Sequence, residues 1–253
     1  MTPQEVMLAL DLPASCRVDQ RVPKKLLVEN GAPTAADKRL INESIGEIHW
    51  LAALKPATAG VPDFRDAARE YLEIAVLSVA LRAETKAGRL AELVHRAVPY
   101  PVFLILAWGS CLNLSLAHKR WAQNEAGKTV LDGGIAEVTL ASDSAPIAHE
   151  ARFMQALAMG HQPRSTLYAL YQGWIDTLEA LRAARLSGTF VTVSTPEQAA
   201  ARRQALHDCQ RLEAEAARLS AAAAKEKQLA RQVALNLELK RVRAEQAQTR
   251  EKL

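Results

Sequence analysis

A chain of 253 residues, 49% hydrophobic and 24% charged, has the make-up of a globular protein with one sizeable domain and an appendage. No stretch approaches the roughly 18 apolar residues of a membrane-spanning helix, and Met1 to Ala14 carries Glu5 and Asp11 without the basic n-region of a signal peptide; a cytoplasmic protein that does not enter a membrane is expected. The net charge of +4 lies in the C-terminal tail, because residues 1–195 hold 20 Lys+Arg against 20 Asp+Glu while residues 196–253 hold 12 against 8, so a basic pI alone does not make the body a nucleic-acid binder.

Cys16, Cys111 and Cys209 are odd in number and far apart, which fits reduced thiols and excludes a disulfide frame or a thiolate zinc site. The first pattern is two short helices. Pro23 suits a first helical turn, Lys24 to Glu29 continue it, and Asn30-Gly31 stop it. Thr34, with Asp37 three residues on, caps a second helix whose apolar stripe is Leu40, Ile41, Ile45 and Ile48.

Around Gly46 the period changes. "EIHWLAALKP" (47–56) reads as a strand broken by Pro56, and "YLEIAVLSVALR" (71–82) as a strand with both faces covered. "KAGRLAELVHRAV" is a helix with Leu90, Leu93, Val94 and Ala97 on one side, ended by Pro99-Tyr100-Pro101. "VFLILAWG" and "CLNLSLAHKRWA" pair around a tight Gly109-Ser110 turn, "GKTVLDGG" is a turn region, and "IAEVTLA" (135–141) adds a strand. The expected fold is therefore α+β: a mostly antiparallel sheet of about five strands with one crossing helix, over residues 1–145.

A helical extension over 146–194 follows. Its segment from Ser165 carries Leu167, Leu170, Tyr171, Trp174, Leu178 and Leu181 at helical spacing, and "TFVTVS" is an extended link or edge strand. Thr195-Pro196-Glu197-Gln198 then starts a long charged helix over 195–253 that contains no glycine and no proline beyond Pro196. In heptads, one core position reads Leu212, Leu219, Glu226, Val233, Lys240, Ala247, and its partner Ala216, Ala223, Ala230, Leu237, Ala244, Glu251. That coiled-coil-like seam buries little area and calls for a partner, a second copy of the chain included.

The order of these segments resembles an uncharacterised bacterial family, the domain of unknown function numbered four-three-nine-one. "CRVDQRVPKKLL", "DKRLINESIGEIHWLAALKP", "REYLEIAVLSVALR", "LAELVHRAVPYPVFLIL" and "SLAHKRWAQNEAGKTVLD" carry the resemblance, which extends over almost the whole chain. The resemblance implies a gene neighbourhood of helicases and DNA methyltransferases in restriction-like or phage-defence clusters. It implies no catalytic residue.

Such a neighbourhood directs attention to nuclease chemistry, which needs acids and a lysine around a divalent ion. The candidates are Asp66, Glu73 and Lys55 with Mg²⁺, although Glu73-Ile74-Ala75 lacks the lysine of a Glu-x-Lys motif. The six histidines show no metal-ligand spacing, and Gly127-Lys128-Thr129 lacks the upstream glycine of a phosphate loop. His118-Lys119-Arg120-Trp121 is the tightest cationic-aromatic cluster. Lys119, Arg120 and Trp121, with Lys24 and Lys25, are therefore the candidates for nucleic-acid contact. With no complete catalytic set, the leading expectation is a non-enzymatic accessory subunit. It would dock a helicase or DNA methyltransferase through Leu212, Leu219, Val233 and Leu237. A divergent metal-dependent nuclease or a nucleic-acid-binding protein is the alternative.

Overall fold

The computed structural model describes residues 1–83, 86–123, 125, 127–141, 148–193 and 195–253. The boundary expected at 145/146 and the last residue of the expected extension, Ser194, lie outside the described residues. The chain divides into two compact units, Met1–Leu178 and Glu179–Leu253, where three segments were expected.

In the first unit, α1 (Pro3–Leu10) and the edge strand β1 (Arg17–Arg21) precede α2 (Lys24–Gly31) and α3 (Ala35–Ser44). β2 (Ile45–Leu54), the short α4 (Pro56–Ala59), the β3–β4 hairpin (Phe64–Arg65, Glu70–Tyr71) and β5 (Ile74–Leu81) follow. α5 (Ala87–Ala97) crosses to β6 (Val102–Trp108), then come β7 (Cys111–Leu116), the small β8–β9 pair (Lys119–Trp121, Thr129–Leu131) and β10 (Ala136–Ala141). α6 (Ala148–Ala156) leads to α7 (Leu167–Ser187), within which the two units divide.

The sheet has six strands in the order β1-β2-β5-β6-β7-β10. Every neighbouring pair is antiparallel except β5–β6, which α5 makes parallel by crossing between them. The sequence expectation of an α+β fold with a mostly antiparallel sheet and a crossing helix is borne out. β1 is the added strand. Its charged residues hid it in the sequence, and a register shift between Arg17 and Gln20, with Asp19 at φ +49°, kinks this edge.

Alternation along β5 and β6 sorts the two faces. Ala75, Leu77 and Val79, with Val102, Leu104 and Leu106, join Leu27, Ile41, Leu90, Leu93 and Val94 in one core under α2, α3 and α5. Phe103 points the other way, where Trp174 of α7 meets it edge-on at 5.5 Å. There the α7 stripe Leu167, Leu170, Tyr171, Trp174 and Leu178 is fully buried, as its 3–4 spacing requires. This burial attaches the first part of α7 to the sheet unit.

Local chemistry fixes the α2–α3–α5 layer. Thr34 Oγ1 accepts from the Asp37 amide at 3.1 Å, the expected cap. The Asp37 carboxylate in turn takes both Nε and Nη2 of Arg89 at 2.9 Å, tying α3 to α5 and holding that carboxyl below the ordinary range. Gly31, expected to stop α2, is instead its last helical residue and serves close packing. A Cβ there would lie 2.6 Å from Ala97 Cβ and 2.7 Å from the Leu93 carbonyl, so glycine lets α2 touch α5. The Gly109-Ser110 turn is as expected, with Trp108 opposite Cys111 and Gly109 at φ +52°.

The second unit contains the end of α7, then α8 (Pro196–Lys225) and α9 (Leu229–Arg250). Thr195 Oγ1 accepts from the Gln198 amide at 3.3 Å, so the predicted start of the long helix is met. Residues 189–193 form no strand. The long helix runs for 30 residues and then breaks at Glu226, one of the charged interruptions of the heptad seam. Glu226 Oε1 accepts from the amides of Lys227 and Gln228 at 2.8 and 2.9 Å, satisfying the turn. The chain then reverses. Leu212 and Leu219 of α8 pack with Leu239 and Val242 of α9, and Arg211 Nη2 lies 3.7 Å from Glu245.

Candidate functional site

The loops at one end of the sheet gather most of the polar aromatic chemistry. Tyr71, at the end of β4, is fully buried, and its hydroxyl lies 2.5 Å from His118 Nδ1. His118 Nε2 donates to Gln172 Oε1 at 2.8 Å, and Gln172 Nε2 donates to Asp176 at 2.9 Å. An acceptor at Nε2 places the ring proton there, so Nδ1 accepts from the Tyr71 hydroxyl. Tyr168 stacks on His118 with centroids 5.0 Å apart and on Phe64 at 4.9 Å. Arg69 Nε and Nη2 clamp Asp132 at 2.8 and 2.6 Å, and Arg120 Nε approaches the same carboxylate at 3.7 Å. Burial pushes the Tyr71 phenol upward, so it keeps its proton and supplies no phenolate nucleophile. The cluster fastens the β3–β4 turn, the β8–β9 pair and α7 to one another. Sequence reasoning missed it, having read His118 only with the cations that follow it.

Of the three nuclease candidates, Lys55 and Glu73 meet, and Asp66 makes its contacts elsewhere. Lys55 Nζ lies 3.2 Å from Glu73 Oε2, so these two meet as an ion pair. Asp66 is committed elsewhere: its Oδ1 accepts from the amides of Ala68 and Arg69 at 2.7 and 2.6 Å, and Arg69 Nη1 stands 3.7 Å from its other oxygen. Among the described residues no group of three or more His, Cys, Asp or Glu side chains is placed to hold a metal ion.

The cationic candidates are likewise occupied. Lys119 is 3% exposed, and its ammonium donates to the carbonyls of His95 and Val98 at the end of α5. It caps that helix from inside, where burial lowers its pKa to about 7, and it cannot meet a phosphate. Arg120 is held by Asp132, and the Trp121 amide donates to Ala68 O at 2.8 Å. Lys24 Nζ donates to Ile45 O at 2.9 Å, and Lys25 lies 3.4 Å from Glu29 on its own helix. The reason is common to the four cations: each has a nearby carbonyl or carboxylate that the linear sequence places far away or one helical turn on.

The predicted seam divides. Leu212 and Leu219 are spent inside the α8–α9 hairpin, whereas Val233 and Leu237 stay 49% and 60% exposed. Leu229, which the heptad frame passed over, joins them at 74%. The three lie at i, i+4 and i+8 on α9, one side of the helix, away from the Leu239 and Val242 that face α8. Reading 3.6-residue spacing backward from Leu237 would have found Leu229.

No curated protein and no solved structure matches the chain. A family model covers residues 10–245, from the last residue of α1 nearly to the end of α9, and the chain belongs to the family described as domain of unknown function DUF4391.

Proposed function

We propose that this protein is a non-enzymatic interaction subunit that docks a larger partner through the outer face of α9. One observation carries the reading: Leu229, Val233 and Leu237 form an exposed apolar stripe on a helix whose opposite side is already packed. Covering what is exposed of three such side chains contributes roughly 4 kcal/mol, a useful anchor when the adjoining Asn236 and Lys240, both exposed, supply a polar rim. The partner is the helicase or DNA-methyltransferase subunit of a restriction-like or phage-defence system, as the family resemblance implies. This reading is preferred to a metal-dependent nuclease because Asp66 is taken up by the amides of its own turn, and among the described residues no group of three or more His, Cys, Asp or Glu is placed to hold a metal ion. It is preferred to nucleic-acid binding because Lys119 is buried.

The test is co-purification of the full-length protein with the helicase or methyltransferase encoded beside it. Val233→Glu with Leu237→Glu should abolish recovery of the partner while leaving the thermal melt within about 2 °C of the parent, since both sites face solvent. Equal recovery by the variant overturns the proposal. So does a purified protein that self-associates through these residues and loses that association in the variant.

A further inference from the structure

A groove of about 340 Å³ opens between α2, the sheet and the segment after α5. This lies within the size range of small-molecule sites. Leu27, Ile48, Leu77 and Val98 make its apolar floor and side. Trp50 and Tyr100 form one aromatic wall, their rings 28° from parallel with centroids 6.4 Å apart. Both are half-buried, so each ring keeps part of its surface open. The wall is fixed: Trp50 Nε1 donates to Ala52 O at 2.8 Å, and Tyr100 stands between Pro99 and Pro101.

The charges around the mouth define the ligand by what they leave over. Arg21, the charged residue of the lining, lies 3.3 Å from Glu47 Oε1. The neighbouring Lys24 and Lys25 are engaged by Ile45 O and Glu29. Arg21 and Lys25 each stand beside a carboxylate and Lys24 is turned onto a backbone carbonyl, so these three residues do not form a cluster of unpaired cations for an anion. Gln20 and Asn30 line the mouth and are exposed, and each amide offers both a donor and an acceptor.

We propose that this groove binds a neutral, planar heteroaromatic molecule of nucleoside size, its ring against Trp50 and Tyr100 and its hydrogen-bonding edge at Gln20 and Asn30. The ligand is a free small molecule and not a base within a nucleic-acid strand, because a strand brings several phosphates and Arg21 and Lys25 at this rim each stand beside a carboxylate. The inference is independent of the α9 stripe, which lies in the other unit.

Isothermal titration of the full-length protein with adenosine tests it, with hexanol and a single-stranded oligo(dA) as comparison arms. The expected result is saturable one-to-one binding of adenosine and none of hexanol. Tyr100→Phe should keep adenosine affinity within about twofold, and Tyr100→Ala should weaken it about tenfold, the usual scale for one stacking contact. Gln20→Ala with Asn30→Ala, at exposed positions that leave folding intact, should weaken it several-fold. Lack of saturation by millimolar adenosine overturns the proposal, as do equal affinity in the amide variant, equal binding of hexanol, or an oligo(dA) affinity that exceeds adenosine's and falls steeply with salt.

Discussion

His95 provides a stringent check on the core, because acid should unfold this protein in part through a single ring. It sits on α5 with no exposed surface, Nε2 3.1 Å from Ser115 Oγ on β7, while Nδ1 has no hydrogen-bond partner among the described residues. Burial, and then the Lys119 ammonium close by, lower its pKa from 6.5 to about 3. The folded state therefore refuses a proton that the unfolded chain accepts. The resulting stability is fully present above about pH 6.5 and is lost as the pH falls toward 3. Between about pH 7 and about pH 5 the loss amounts to about 2 kcal/mol, with a limiting slope of about 1.4 kcal/mol per pH unit. Urea denaturation at several pH values, on the parent and on His95→Leu, isolates this contribution. The leucine variant loses the Ser115 hydrogen bond at every pH, about 1 kcal/mol, but should lack the acid-dependent component. Parallel pH slopes for the two proteins would refute the assignment of a neutral, proton-refusing His95.

Lys119 gives the complementary pH window. Its pKa of about 7 lies below the ordinary 10.5, so the folded state holds fewer protons between those values, and stability should rise with pH across that interval. Lys119→Met should flatten the rise in melting temperature, and a rise equal to the parent's would contradict the buried placement. Gly31→Ala should cost about 1–3 kcal/mol in urea denaturation, since its Cβ meets the Leu93 carbonyl, which belongs to helix backbone and cannot swing aside; an unchanged midpoint would mean α2 and α5 are not in contact. Incubation of plasmid with Mg²⁺ should leave the DNA intact for the parent and for Glu73→Gln alike, and cleavage by the parent that the variant loses would restore the nuclease reading.

The strands and capped helices were legible because their determinants are local. Branched residues through 74–81 fix β5 as buried on both faces, and Thr34 and Thr195 each find the amide three residues on. β1 was not legible. Its residues Arg17–Arg21 are nearly all exposed, and its pairing with β2 joins residues 28 to 35 positions apart, which no local period reports. The break at Glu226 was hidden for a related reason. Nothing in a run free of glycine and proline marks a stop, and the reversal is decided by packing of Leu212 and Leu219 on residues twenty to thirty positions later.

The candidate sites show the limit of composition as a guide to chemistry. A cation next to an aromatic in sequence, as in Lys119-Arg120-Trp121, has the composition of a phosphate-and-base contact. Strand alternation nevertheless sends Lys119 inward beneath α5, where its ammonium replaces the missing donors at the helix end, while Arg120 turns to Asp132. The same alternation that makes β8 a strand therefore removes one member of the cluster from the surface. The exposure of the α9 stripe is likewise settled by long-range packing, because the α8–α9 hairpin decides which side of α9 is left over. The apolar surface of Leu229, Val233 and Leu237 stays exposed while Leu239 and Val242 on the other side of α9 are packed. In the body, by contrast, Arg21, Lys55, Arg69 and Arg89 each meet a carboxylate.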